Sequence, residues 1–326
     1  MINFCTLFDS NYFSRGIALY ESLAKHCGDF HIYIFAFDQK CLESLKKIDF
    51  DKATIISLQE FEDEELLSAK PTRSRMEYCW TCTPTIILYA LETYNHESCT
   101  YVDADLYFFK SPELLLEEME DNSVLISEHR YTPRYDQSEK YGKYCVQFMT
   151  FKNNVRGKTA LDWWRNACNA WCYAKREKGK FGDQKYLDDW LERFEGVHLL
   201  QHLGGGVAPW NVQQYNLIKN EKGLFCKVKN SRIEFELIFY HFHHLQFLIN
   251  GQIDLGSYKL SGNVKKLIYK PYIKHLEKIK TEFTEIDKSF CMHGATKLTL
   301  NWKILLRHIK RKLLSNILNK NEFMQE

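Results

Sequence analysis

Residues Thr100 to Phe109 read Thr-Tyr-Val-Asp-Ala-Asp-Leu-Tyr-Phe-Phe, an apolar run interrupted by two carboxylates, Asp103 and Asp105. Residues two apart on extended chain share a face, so the pair is crowded where a buried strand ends. Crowded carboxylates repel, and burial disfavours their charge. A cation relieves both penalties. Hard divalent ions such as Mg²⁺ and Mn²⁺ take oxygen ligands and are held by one or two carboxylates together with substrate phosphates. The pattern reads as a metal–diphosphate site; its alternative is an acidic turn at a strand end.

Three further stretches carry candidate chemistry. His241-Phe242-His243-His244 offers imidazoles on both faces of a strand, as metal ligands or as buried, hydrogen-bonded histidines. An imidazole ligand suits Mn²⁺ better than Mg²⁺ or Ca²⁺. Gly182-Asp183-Gln184 opens a predicted helix, where Asp183 serves as an N-cap and can still face a ligand. Gly204-Gly205-Gly206 precedes Val-Ala-Pro-Trp, a tight turn whose backbone, at Gly205 and Gly206, can approach a ligand. Trp210 in that run can stack on a ring or fill the core. Cys79-Trp80-Thr81-Cys82 has no second ligand pair, so its thiols read as ordinary buried ones.

The elements that position these groups alternate. Ile2–Phe8, His31–Phe37 and Thr54–Leu58 read as strands, with helical periodicity between them at Ile17, Tyr20, Leu23, Ala24 and at Leu42–Ile48. A helix over Thr83–Tyr94, with Pro84 in its first turn, leads into the acidic-pair strand. Val124–Ser127, Tyr144–Phe151, Val197–Leu200 and Phe235–Phe242 are later strands, and Leu161–Cys172 and Asp183–Phe194 later helices. This βαβα order predicts a mostly parallel α/β sheet flanked by helices. Ligands of such sheets bind beyond the carboxyl ends of the strands, where Asp103 and Asp105 lie. The expected division is one domain over residues 1–260, then a helical extension over 261–326.

Bulk properties narrow the classes. The 326 residues are 45% hydrophobic and 15% aromatic, enough for a large core. A net charge of +2 argues against a nucleic-acid binder. No stretch has the roughly 18 apolar residues of a membrane span. No basic, then apolar, leader precedes the first strand, and 11 irregularly spaced Cys suit reduced thiols, so a cytoplasmic location is expected. From Lys288 to Asn321 there is no acid. Trp302, Leu305, Ile309, Leu313 and Ile317 fall on one helical stripe, with Lys303, Arg307, Lys310 and Arg311 away from it. That predicts a basic amphipathic helix for an anionic membrane surface, or else one docked on the domain.

Over roughly residues 1–255, the order of opening strand, Val-Asp-Ala-Asp strand end, Asp-Gln pair and histidine strand resembles the GT-A nucleotide-diphospho-sugar glycosyltransferases. The likeness is greatest to bacterial retaining enzymes of the family 8 type, which build lipopolysaccharide and related surface glycans. The resemblance implies that Asp103 and Asp105 bind metal and diphosphate, with His241 as third ligand and His243 as its rival. It implies Ala104 near the donor ribose, Thr6 and Asp38 at the base, Arg73 and Arg75 against the donor, and Asp183 and Gln184 facing the transferred sugar and acceptor. His244 stands where the family motif has Gly, and the following Lys is not evident. The implied activity is Mn²⁺- or Mg²⁺-dependent transfer of a hexose from a UDP-sugar to a saccharide or lipid-linked acceptor, with retention, at the inner membrane. A sugar-phosphate nucleotidyltransferase and a non-catalytic sugar-nucleotide binder are the alternatives.

Overall fold

The computed structural model describes residues 1–287, 291–295 and 311–325. Its centre is a seven-stranded sheet of β1 (Ile2–Phe8), β2 (Phe30–Ala36), β3 (Ala53–Ser57), β4 (Ser98–Val102), β6 (Val124–Glu128), β7 (Tyr144–Lys152) and β8 (Val197–Leu199), in the order β3-β2-β1-β4-β7-β6-β8. The omitted β5 (Leu106–Phe108) belongs to a second sheet. All neighbours in the large sheet are parallel except β7, which runs against both β4 and β6. The carboxyl ends of β1, β2, β4 and β6 therefore share one rim, and Asp9, Asp38, Asp103 and Glu128 stand on it.

Alternation along β1 sorts the core into two layers. Phe4 and Phe8 face one layer with the helices Phe13–His26 and Lys270–Ile286; Cys5 and Leu7 face the other with the helices Arg75–Thr93 and Val155–Ala170. Buried residues of the C-terminal extension, Val264, Ile268, Tyr272, Leu276 and Phe283, join the same core as Phe4 and Phe8.

The structure corrects several sequence expectations. The helix expected from Thr83 begins at Arg75, capped by Ser74 and Glu77, so Pro84 lies in its interior. Proline there removes one i→i−4 bond, and the packing of Cys82, Ile86 and Ile87 into the core holds the helix together. The strand expected over Phe235–Phe242 is divided. Its first part is β12 (Glu234–Glu236), which joins an unforeseen hairpin of β10 (Tyr215–Asn220) and β11 (Gly223–Val228). Its second part, β13 (Phe239–His241), pairs with β5 and with β9 (Gly205–Val207).

A third small sheet joins β14 (Gln246–Phe247), β15 (Gln252–Asp254) and β16 (Ile317–Asn319). Ile317, expected on the helical stripe, is on that strand opposite Asp254. Leu313 is 82% exposed, and Trp302, Leu305, Ile309, Lys303, Arg307 and Lys310 lie outside the described residues. The end of the tail is docked: Asn316 is fully buried and donates to the carbonyls of Gly256 (2.9 Å) and Tyr258 (2.6 Å). Arg311 pairs with buried Asp254.

Candidate active site

Strand β4 ends at Val102, and the chain turns through Asp103, Ala104 and Asp105, with the Leu106 amide donating to the Asp103 carbonyl at 3.0 Å. Strand β5 then runs antiparallel to β13, with His241 opposite Leu106. That register brings the His241 ring beside Asp105. Its Nε2 is 3.1 Å from Asp105 Oδ1 and 3.8 Å from Asp103 Oδ2. One ligand atom from each of the three residues lies within 4.8 Å of the others. His241, not His243, completes this cluster. The His243 ring faces Trp210 and His244, and burial, with its histidine neighbours, pushes its pKa well down.

The cluster is supported from behind. Gln147, on β7 and fully buried, accepts from His241 Nδ1 at 2.7 Å, which leaves Nε2 for the carboxylates. The Gln147 carbonyl accepts from the Asp103 amide at 3.0 Å, and its Nε2 has no partner among the described residues. The Tyr101 hydroxyl donates to Asp103 Oδ1 at 2.8 Å, and the Phe242 amide to the Asp105 carbonyl at 2.9 Å. Gly206 passes against Gln147 with φ +127°, and a Cβ there would stand 3.2 Å from Gln147 Nε2. Sequence reasoning missed Gln147. Its signal was a lone amide in the largely apolar run Tyr144–Phe151.

The charges are interdependent. Burial opposes protonation of His241, but Asp105 and Asp103 outweigh it and raise its pKa well above the ordinary value. Burial likewise opposes ionisation of Asp105, and His241 overcomes it, holding that carboxyl down to about 2. Burial, with Asp105 beside it, holds the Asp103 carboxyl above its ordinary range. The donor set fits a divalent ion: two carboxylates that repel, one imidazole oriented to present Nε2, and mixed O and N chemistry that suits Mn²⁺.

Asp183 sits beside this cluster. It is buried, and burial followed by the Asp103 charge raises its pKa well above the ordinary carboxyl value. The expected helix is instead a 3-10 stretch, Gln184–Asp189, followed by one turn, Trp190–Arg193. Asp183 makes no side-chain cap bond, so the N-cap expectation is corrected; its backbone carbonyl accepts from Trp164 Nε1 at 3.0 Å. Gln184 donates to the Tyr141 carbonyl at 2.8 Å.

The remaining candidates occupy varied surroundings. Asp38 caps the helix Gln39–Leu45 through the Cys41 amide (2.7 Å), accepts from the Ser10 amide (3.1 Å) and pairs with Arg75. Arg75 also reaches Asp9 Oδ2 at 2.7 Å, so it bridges the ends of β1 and β2. Arg73 lies 3.9 Å from the Tyr173 ring centre and donates to the Asn169 carbonyl. Thr6 is fully buried, its hydroxyl without a partner among the described residues, and Ala104 joins the core. Gly205 faces Leu115 and Leu200, where a Cβ would overlap both, so it is a packing position in β9. His244 adopts φ +65°, a left-handed conformation that costs an L-residue roughly 1–2 kcal/mol. Tyr12, next in chain to the turn after β1, was not singled out from sequence. It is 41% exposed, yet desolvation around its hydroxyl, followed by the Asp105 charge, pushes its phenol up to about 12.

No protein-family model matches the chain. It is 30% identical over 294 residues to the uncharacterized protein YfnD of Bacillus subtilis (strain 168), covering 88% of this chain and 92% of that one. It is 32% identical over 252 residues to the uncharacterized protein YfnF of the same organism, covering 73% and 80%. Among solved structures, an active-site mutant of LgtC superposes with a TM-score of 0.50 at 8% identity, over 85% of this chain and 96% of that one. The chain belongs to the family of YfnD and YfnF, and its fold is the GT-A fold of nucleotide-sugar glycosyltransferases.

Proposed function

We propose that this protein is a divalent-metal-dependent glycosyltransferase that moves a hexose from a UDP-sugar to a saccharide acceptor of a bacterial surface glycan, with retention. The observation that carries the reading is the Asp103–Asp105–His241 cluster at the carboxyl end of β4. In this reading Asp103, Asp105 and His241 Nε2 hold Mn²⁺ or Mg²⁺. When bound, such an ion supplies Lewis-acid stabilisation of a leaving diphosphate.

The chain's own residues divide the rest of the work. Gln147 fixes the His241 tautomer and ring plane. Asp183 offers a buried carboxyl within electrostatic reach of Asp103, where the transferred sugar would lie. Tyr12 and the Asp9–Arg75–Asp38 bridge stand at the ends of β1 and β2, on the nucleotide side. On the opposite side of the rim, beyond β6, a cavity of about 520 Å³ is lined by Tyr131, Tyr215, Glu128, Asp136 and Lys143. Rings with charged hydrogen-bonding groups suit a saccharide acceptor. A contact series, Tyr131–His129 (4.7 Å), His129–Trp210 (5.3 Å) and Trp210–His241 (5.2 Å), links the cavity to the cluster.

The nucleotidyltransferase alternative would use free amides after β1 to cradle phosphate. Here Asp9 itself accepts from the Asn11 (2.8 Å) and Tyr12 (3.2 Å) amides. Among the described residues no helix is long and apolar enough to cross a membrane. A lipid-linked acceptor on the inner leaflet, approached through the basic tail, belongs to the proposal as its cellular setting. The test is a thermal-shift and hydrolysis screen of UDP-sugars with and without Mn²⁺. Donor hydrolysis that requires the metal and stops in excess EDTA supports the reading. Binding without turnover on any donor and acceptor would favour the non-catalytic binder.

A further inference from the structure

Arg15 is a buried cation with no carboxylate at ion-pair distance among the described residues. It sits in the first turns of the helix Phe13–His26 and is 3% exposed. Its Nη1 donates to the carbonyls of Asn11 (3.3 Å) and His293 (3.2 Å), and its Nη2 to that of Leu245 (2.9 Å). These carbonyls belong to three separate pieces of chain: the turn after β1, the C-terminal segment 291–295, and the turn that follows His241.

The third bond continues to the cluster. The Leu245 amide donates to the Phe242 carbonyl at 3.1 Å, and the Phe242 amide to the Asp105 carbonyl at 2.9 Å. A line of hydrogen bonds therefore runs from the Arg15 guanidinium to the backbone of a cluster residue. The C-terminal segment is seated at the other end. Ser14 Oγ meets His293 Nδ1 at 2.8 Å, and the Ser14 amide donates to the Met292 carbonyl at 3.2 Å. The His293 ring stacks on Phe247 at 4.1 Å. Gly294, at φ +58°, lies so close to Asn11 that a Cβ would meet its atoms at 2.6–2.9 Å.

We propose that Arg15 is a positioning residue that makes the C-terminal segment 291–295 a working part of the metal–donor site. The proposal rests on the glycosyltransferase reading for what the site binds. A guanidinium suits this role because its rigid planar fork spreads five N–H donors over several acceptors at once, a geometry that an ammonium matches only in part and an apolar chain not at all. Charge-assisted bonds to carbonyls are stronger than neutral ones, and three of them fix the relative placement of the Asn11 turn, the Leu245 turn and segment 291–295. Asp105 and His241 stand at the end of that line, so loosening it lets their separation drift.

The test uses full-length protein carrying Arg15→Met, Arg15→Lys or Gly294→Val, read by amide hydrogen exchange and by Mn²⁺ titration. In Arg15→Met the Phe242 and Leu245 amides should exchange about tenfold faster while β1, β4 and β7 keep their protection. Mn²⁺ should bind about tenfold more weakly, as when an outer support of a metal ligand is removed. Arg15→Lys should recover part of both. Gly294→Val, which leaves Arg15 in place and pushes segment 291–295 from Asn11, should reproduce both in the same direction. Unchanged exchange at Phe242 and Leu245 in Arg15→Met overturns the proposal, as does uniform loosening of the whole sheet, which marks a staple of stability alone. If Arg15→Met does not fold, the other two variants decide on the same criteria. If the wild-type protein takes up no Mn²⁺, the functional reading fails, and the exchange comparison still decides whether Arg15 ties the Leu245 turn to segment 291–295.

Discussion

Gln147 Oε1 accepts from His241 Nδ1 at 2.7 Å, and that bond decides which ring nitrogen faces the acidic pair. The amide lies on the antiparallel strand β7 and the imidazole on β13, so two sheets meet in it. Replacing Gln147 by Leu keeps the volume and frees the ring. Mn²⁺ affinity should fall about 10–100-fold with the fold retained. Calorimetric titration beside a circular-dichroism melt separates the two effects.

Asp105 is the most firmly ionised of the cluster carboxyls, held down by His241. Asp105→Asn should remove metal-dependent donor hydrolysis, by more than about 100-fold, and leave the spectrum of the folded protein unchanged. Near wild-type turnover in this variant would sink the metal assignment.

Asp183 gives the opposite signs for stability and activity. It is a buried carboxyl near Asp103 with no cap bond, so its charge is a liability to the fold. Asp183→Asn should leave the melting temperature unchanged or raise it by about 1–3 °C. It should lower kcat with little change in donor KM, the sign of a contact made only in the transition state. A clear drop in melting temperature with normal kcat would make the residue purely structural.

Glu277 provides a pH signature. Burial opposes its charge, but His293 (3.3 Å) and Lys320 (2.9 Å) hold its pKa down to about 2, below the ordinary 4.5. A depressed folded pKa means the stabilisation is present above pH 4.5 and is lost as pH falls from there toward 2. Glu277→Gln should lower the melting temperature at pH 7 by about 2–4 °C. The gap from wild type should close in melts run at successively lower pH.

The docked end of the tail makes its removal a stability experiment. Deleting residues 301–326 removes the Asn316 bonds to Gly256 and Tyr258, the Arg311–Asp254 pair and strand β16. It also leaves Asp254 buried without its cation. The truncated protein should melt several degrees lower, about 3–6 °C. Co-sedimentation of the full-length chain with anionic vesicles at low and high salt tests the membrane setting independently.

What could be read from sequence depended on whether the signal was local. Asp103 and Asp105 announced themselves because two acids inside an apolar run of sequence need a reason. The turn and the register of β5 with β13 then delivered His241 to them. Gln147 was hidden because its meaning comes from a ring 94 residues away in sequence. Asp183 followed by Gln184 looked like a helix start by type. Only the burial of its carboxyl near Asp103 separates it from a cap. Asp38 and Arg75 are similar: each was picked for the donor, and each is engaged with the other across the ends of neighbouring structure. Ile317 fitted a helical stripe by period, but the exposed edge of β15 offered it a pairing partner that periodicity cannot represent.

The direction of β7 has a consequence for how this scaffold can diversify. Because it runs against β4 and β6, its first residues, not its last, lie at the rim beside Asp103. The segment 129–143 that enters it therefore hangs over the side of the cavity lined by Tyr131 and Asp136, while the exits of β1, β2 and β4 carry the acidic residues. At this rim six strands leave the sheet and β7 alone enters it, through the segment that has just left β6. Insertions or deletions in that segment change what can rest against the cavity without shifting the register that joins His241 to Asp105. Two such proteins could then share a donor and differ in acceptor through one loop.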